Sequence, residues 1–419
     1  MKQHYWALLF FNYFAMGIMV PVLSLALLDK GLDLTSLALI FGLYTLTVVI
    51  LEVPSGIMAD LIGRKRVFLI SNVFYIVSAA LLLFAHGVAL MIPVIIFWGA
   101  GKAFASGSMD ALVIDSYVEL NGAESMPVVT SRLALLETIG LSTGAILGGF
   151  LPGLTKGLLP LFGTYDITIL LRSVLIVINT ILCAAFIKEH RPHGTHVPKL
   201  KEHVAQSVRF IKRSPVLLLL AAGLFCTGIS IFTVETYWQP AYTTVLNNDS
   251  LSWTLGFLSF GCFLLASVGN IIIKKIFMSR QSIWHIGYSV TRLALYAALV
   301  VFSFMQSAVS FAAMFYIVYF LFGASNMAES TMLNIEIPAE KRASLLSFVS
   351  FVFQAGGIVA PVTAALASTQ PGIRTLWLFS GIAFFVVSAV IGTALLRLSR
   401  KRCAIAAMQT SSPENVFRA

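Results

Sequence analysis

Charge is what this sequence has least of. Only 11% of its 419 residues are Asp, Glu, Lys or Arg, well under the roughly one quarter usual in water-soluble domains, while 58% are hydrophobic and the mean hydropathy is +0.90. That balance excludes an ordinary soluble globule. Cysteine is scarce as well. Cys183, Cys226, Cys262 and Cys403 stand singly with no C-x-x-C pair, so neither a disulfide framework nor a thiolate metal site is expected. A Walker loop and a nucleophile elbow are also missing, which excludes a self-contained ATP-driven pump and leaves a membrane enzyme without a catalytic constellation. No cofactor and no metal are expected. Four histidines, His190, His193, His196 and His203, crowd one stretch, but Pro192, Gly194 and Pro198 break any helix that would align them as ligands.

What the sequence has in abundance is hydrophobic length. About 20 apolar residues are needed to cross the hydrocarbon core as a helix, and twelve segments qualify: Trp6–Leu28, Ser36–Met58, Val67–Ala85, Ala89–Ile114, Ser131–Leu151, Ile167–Ile187, Pro215–Thr236, Leu251–Ile273, Ile283–Phe304, Ala308–Met332, Leu345–Ala367 and Thr375–Leu396. The first is read as a retained helix, since it exceeds a signal h-region and no small-residue cleavage site follows it. The expectation is an all-α polytopic membrane protein of twelve transmembrane helices in two six-helix halves.

The net charge of +10 points to membrane topology and not to nucleic acid, because the basic residues sit in short loops between apolar segments. One side holds Arg64, Lys65, Arg66, the run from Lys188 to Arg213, Lys274, Lys275, Arg280, Lys341, Arg342 and the tail from Arg397 to Arg402; the other holds only Lys30, Lys156 and Arg374. The positive-inside rule makes the first side cytoplasmic and puts both termini there, in an inner or plasma membrane. The long charged stretch divides the chain into a half at 1–187, a cytoplasmic linker at 188–214, a second half at 215–398 and a cytoplasmic tail at 399–419. Within the linker, Val197–Arg213 sets Leu200, Val204, Val208 and Ile211 on one face, as in an amphipathic helix lying on the membrane surface.

Between the second and third segments stands Gly56-x-x-x-Asp60-x-x-Gly63-Arg64-Lys65, preceded by Glu52-x-Pro54. Each residue has a physical task in a tight inter-helix connection. Gly56 allows close backbone approach, Gly63 takes a positive φ, Asp60 offers a carboxylate to amides or a cation, and the basic residues hold the loop on one side of the membrane. A charged turn alone does not account for the joint spacing. That spacing resembles the loop signature between helices 2 and 3 of the major facilitator superfamily of transporters, with the Glu-x-Pro-x-Gly variant of a branch rich in efflux-type members. The resemblance implies a cytoplasmic gate formed by Gly56, Asp60, Gly63 and Arg64, with Asp115 at the end of the fourth segment as partner. In the fifth segment Gly140, Gly144, Gly148 and Gly149 resemble the antiporter signature of exporting members, with Ala145 in place of its proline; small residues for close helix packing explain the same pattern. The arginine that many proton-coupled members carry ahead of a G-x-G in the fourth segment is absent, since Pro93 to Trp98 are wholly apolar.

A charge in the hydrocarbon costs roughly 2.5 kcal/mol or more at a helix centre, so each one present needs a partner, a cavity or a task. Lys102, Asp110, Glu52 and Glu329 are the candidate proton or substrate sites. Lys102 and Asp110 fall on one continuous helix about 12 Å apart along its axis, able to face one cavity or to neutralise each other. Glu52 precedes Pro54, which weakens the helix locally. Glu329, with Asn334, echoes Asp110 and Asp115 in a faint internal repeat and is expected to face the same cavity; Arg292 is read as structural. Glu235 to Trp238 stand at the outer end of the seventh segment as an interfacial belt or an outer gate.

These readings combine into a secondary transporter, expected to be a monomer, that works by rocking its halves about a central site. Its expected drive is a proton gradient, and its expected task is export of a small hydrophobic or amphipathic compound such as a drug or metabolite. An importer or facilitator on the same fold, and a membrane sensor or scaffold that moves nothing, are the alternatives.

Overall fold

A computed structural model describes residues 3–106, 108–155, 163–187, 189, 209–246, 252–277, 283–337, 342–368 and 372–410. Fourteen α-helices account for nearly all of them. They are α1 (Gln3–Gly17), α2 (Leu23–Asp29), α3 (Leu34–Ile62), α4 (Arg64–Phe84), α5 (Gly87–Ala105), α6 (Met109–Asn121), α7 (Met126–Thr155) and α8 (Asp166–Phe186), then α9 (Pro215–Leu246), α10 (Trp253–Phe277), α11 (Trp284–Phe302), α12 (Ala308–Glu336), α13 (Arg342–Ser368) and α14 (Ile373–Thr410). Ten continuous stretches are long and apolar enough to span a bilayer, and α13 contributes the shorter apolar stretch Val349–Thr363. The fold is the expected all-α polytopic one. The proposed surface helix and the four clustered histidines fall, apart from residues 209–213, outside the described residues, as does the tail beyond Thr410.

Two expected helices are each broken in two. The first segment unwinds over Ile18–Val22, where Pro21 lacks an N–H and its ring crowds the carbonyl four residues back. The fourth ends as α5 at Ala105 and resumes as α6 at Met109, with the Ser108 hydroxyl donating to the Ala105 carbonyl at 2.8 Å. Conversely, α9 runs through Pro240 to Leu246, about 48 Å by helix rise, ten residues beyond the expected end. The start of α3 is fixed by a capping box. Asp33 accepts from the Ser36 N–H at 2.7 Å, and Ser36 returns a contact to the Asp33 backbone N–H. These bonds hold the exposed Asp33 carboxyl below its usual range, so the cap is intact above that range and is lost as pH falls through the lowered value.

Packing repeats with an offset of six segments. In the first half α3 packs on α5, α1 on α7 and α8, and α4 on α5 and α8; in the second α10 packs on α12, α9 on α13 and α14, and α11 on α12 and α14. Across the halves α3 meets α13 and α7 meets α10, again an equivalent pair, while α2 meets α9. The repeat that is faint in the residues is therefore plain in the contacts.

The glycines of α7 are the reason it lies so close to its neighbours. A Cβ on Gly144 or Gly148 lands on the backbone carbonyl of Phe14 or Ile18, one on Gly140 meets Tyr13, and one on Gly149 meets the backbone of Gly256 across the halves. Gly56 differs, since nothing lies within 4 Å of its would-be Cβ; the expected close backbone approach is not made there. Gly148→Ala should destabilise by about 1–3 kcal/mol through overpacking. Gly56→Ala should be neutral or stabilising by up to about 1 kcal/mol, from lower unfolded-state entropy alone. Thermal unfolding of the two purified variants checks the contrast, and equal losses would refute it.

Candidate functional site: a cavity between the halves

Two prolines prepare the seal at the end of the molecule that carries Asp33. Pro240 has no N–H to give the Thr236 carbonyl four residues earlier, and that carbonyl instead accepts the Ser24 hydroxyl at 2.9 Å. In the stretch unwound around Pro21, the Val20 carbonyl and the Ser24 N–H would pair with each other in an unbroken helix. Instead the Gln239 side chain bridges them, donating its amide N–H to Val20 at 2.7 Å and accepting from Ser24 at 2.7 Å. Tyr237 adds a bond from its hydroxyl to the Leu34 carbonyl at 2.9 Å. Each bond joins the first half to the second. Tyr237 and Trp238 are 3% and 4% exposed, and Trp238 packs against Phe315, so they form no interfacial belt.

Beneath this seal lies a cavity of about 270 Å³. Both halves contribute its aromatic walls, with Phe41, Tyr44 and Trp98 from the first and Phe232, Trp238 and Tyr319 from the second. Glu235, expected at the outer rim, lines it instead, because α9 continues so far past it. Behind Trp98 the buried Arg172 stacks its guanidinium on the indole at 4.6 Å and on Tyr75 at 5.3 Å, a cation–π arrangement. Sequence spacing gave no sign of it.

Lys102 and Asp110 are brought to the same region but not into an ion pair. The break between α5 and α6 puts Lys102 in the last turn of one helix and Asp110 in the first turn of the next, where the helix termini favour a cation and an anion respectively. The 12 Å spacing on one continuous helix therefore does not hold. Asp110 accepts from the Tyr13 hydroxyl at 2.7 Å. Lys102 is exposed and makes no ion pair or hydrogen bond among the described residues, its charge acting only through space on the carboxyls of Glu52, Asp110, Glu137 and Glu235. Glu52 accepts from Gln354 of the other half at 3.0 Å. Glu329, expected to face the same cavity, does not. It is 2% exposed and ion-paired with Arg292, whose guanidinium also donates to the Gly223 carbonyl at 3.2 Å. The echo between Glu329 and Asp110 is one of sequence position, not of surroundings.

At the opposite end the loop residues divide. Gly63 has φ 97° and connects α3 to α4. Arg64 pairs with Asp115 at 2.5 Å, joining α4 to α6 as expected. Asp60 is exposed and has no ion pair or hydrogen bond among the described residues. The carboxylate that serves the helix end is that of Glu189, which accepts from the backbone N–H groups of Arg64 at 2.6 Å and Lys65 at 3.0 Å. A side chain at Gly63 would collide with it. An acid at the start of the linker, far away in sequence, gave no local signal. Nor did Lys30, expected in an outer loop, which is 4% exposed and pairs with Asp166 at 2.8 Å.

Two repeated six-helix halves with an aromatic and ionisable cavity between them make a membrane transporter. The sequence pattern of the Major Facilitator Superfamily matches residues 5–361, and the chain belongs to that family. It is 27% identical to the uncharacterized MFS-type transporter YxaM of Bacillus subtilis (strain 168) over 62% of this chain and 64% of that one, just under two thirds of the relative's length. It is 22% identical to the hexuronate transporter of the same organism over 87% of this chain and 86% of that one. The crystal structure of nucleoside transporter NupG has the same fold, with a TM-score of 0.72 at 13% identity over 94% of this chain and 97% of that one.

Two measurements check this geometry. Gln239→Leu removes both halves of the bridge, at about 1 kcal/mol per bond. Labelling of the cavity thiol Cys262 by a membrane-impermeant maleimide should then speed up about tenfold from the Asp33 side, with little change from the other. Arg292→Leu leaves Glu329 buried and unpaired and should destabilise by about 3–5 kcal/mol, much of it recovered by adding Glu329→Leu. Thermal unfolding of the single and double variants reads the coupling.

Proposed function

We propose that this transporter is a proton-coupled antiporter of the inner or plasma membrane that exports a small hydrophobic or amphipathic compound by alternating access. The observation that carries the reading is an aromatic cavity between the halves with the unpaired carboxylate of Glu235 on its wall, together with Asp110 held by Tyr13 and Glu52 held by Gln354 of the other half. The acids Glu52, Asp110, Glu137 and Glu235 outnumber the cations of this region, Lys102 and the Arg172 stacked behind Trp98. Protons or a cationic solute offset the difference, and competition between the two is what exchange requires. Asp110 and Glu52 are the proposed proton or cation sites. Asp110 reports to α1 through Tyr13, and Glu52 to the other half through Gln354.

The basic residues Arg64, Lys65 and Arg66 mark the cytoplasmic end under the positive-inside rule. Both termini are then cytoplasmic, and the seal made by Gln239 and Ser24 faces outward. Gly56, Asp60, Gly63, Arg64 and Asp115 form the proposed inner gate, with the Arg64–Asp115 pair inside the first half and Asp60 left to engage in the other state. The glycines of α7 serve this reading through close packing rather than chemistry. The chain acts as a monomer. A second reading, import or facilitated passage, draws on relatives named for a hexuronate and a nucleoside, but an anionic sugar acid would meet the carboxylate of Glu235 in this cavity with no lining cation to offset it.

Liposomes with an acidic interior test the proposal. Addition of a transported compound should raise lumenal pH, and Asp110→Asn should slow that response at least tenfold while leaving thermal unfolding unchanged. Substrate uptake without any proton movement would sink the antiport reading in favour of a facilitator.

A further inference from the structure

The cavity walls carry two polar groups with no partner in the protein. Glu235 lines the cavity with its side chain exposed and makes no hydrogen bond or ion pair among the described residues, while the hydroxyl of Ser259, a lining residue on α10, is buried and unpaired. A buried hydroxyl is normally satisfied, and a carboxylate open to an otherwise uncharged cavity is free to take a ligand's charge, so both point to a ligand as the partner. Seven other lining residues are aromatic, among them Trp98, Trp238, Tyr44 and Tyr319. A carboxylate and aromatic rings on the walls of one cavity both favour positive charge, since the ring faces are the negative side of the aromatic quadrupole.

Lys102 supports the same conclusion. Its ammonium lies within electrostatic range of Glu235 but forms no ion pair with it. An anionic solute would have to approach Glu235 itself, whereas a cationic one competes only with a lysine that has three other acids to attend. The volume, about 270 Å³, lies at the small end of ligand sites. We propose that Glu235, with Trp98, Trp238, Tyr44 and Tyr319 on the same cavity walls and assisted by Ser259, is the recognition site for a small monovalent organic cation with an aromatic or other flat apolar body. The ammonium or equivalent group sits against Glu235, the apolar body lies along the indoles, and a hydrogen-bonding substituent reaches Ser259.

This site deepens the antiporter reading and rests on it only for the role of the cavity. Binding is therefore measured at equilibrium, with no gradient, on the full chain in nanodiscs by quenching of tryptophan fluorescence. The probes are benzyltrimethylammonium, its neutral carbon isostere neopentylbenzene, and phenylacetate. The cation should bind at least tenfold more tightly than either comparator. Glu235→Gln should weaken the cation at least tenfold and leave the isostere unchanged, Trp98→Leu should weaken it several-fold, and Lys102→Met, which removes the internal competitor, should tighten it. The Lys102 variant alters an exposed side chain, so it reads the site even if Glu235→Gln fails to fold. Equal or tighter binding of phenylacetate or the isostere, an affinity within twofold of wild type in folded Glu235→Gln, or weaker binding in Lys102→Met would each overturn the proposal. Cation binding with no proton movement in liposomes would overturn antiport and keep this site; proton movement driven only by anionic or neutral solutes would do the reverse.

Discussion

Within the hydrocarbon core no water is at hand for a backbone group that a proline has freed, and the seal of this molecule is built on that constraint. A broken helix there must find partners in its neighbours. Pro21 and Pro240 lie in different halves, and the backbone groups left free beside each are met by a side chain from the other half. Gln239 stands in for one rung of the first segment's helical ladder, so the two halves are joined by bonds that otherwise belong inside a single helix. Everything between the halves depends on how this closure positions them. It brings Glu235 and the indole of Trp98 to one cavity, which two separate bundles would leave apart.

The two halves repeat in packing but not in electrostatics. In the first, the acids near the centre remain open to exchange partners: Asp110 holds only a tyrosine, Glu52 an amide from across the interface, and Glu137 no described partner. In the second, the corresponding acid is locked to Arg292 beneath a layer of aromatic side chains. A buried pair of this kind gives little net stability, but losing either member is costly, so it serves to fix α11 against α12. Of the second half's acids, Glu329 is locked in this way and Glu235, on the cavity wall, is left open.

The fold was legible because hydrophobic length is a property of single segments, and the twelve fall on helix, with the first and fourth each interrupted. The charged loop was legible in part. Gly63 and the Arg64–Asp115 pair followed from spacing and resemblance, but the role of Asp60 as a partner did not appear, and Glu189 took the helix end instead. The misplacements share a cause. Lys102 and Asp110 were related by the geometry of an unbroken helix, and the helix ends at Ala105 and restarts at Met109. Glu329 was placed by analogy with Asp110, and Arg292, nearly forty positions earlier, captures it. Glu235 was taken for a rim residue because the apolar run was ended at Thr236, and the helix continues to Leu246. In each case the deciding partner lay on another helix, where periodicity along one segment carries no information.

The attachment of Glu189 to the amides of Arg64 and Lys65 has a mechanical meaning. It clips the chain just past the end of α8 to the start of α4, so that a displacement of one is carried directly to the junction of α3 and α4, the joint that holds the signature loop.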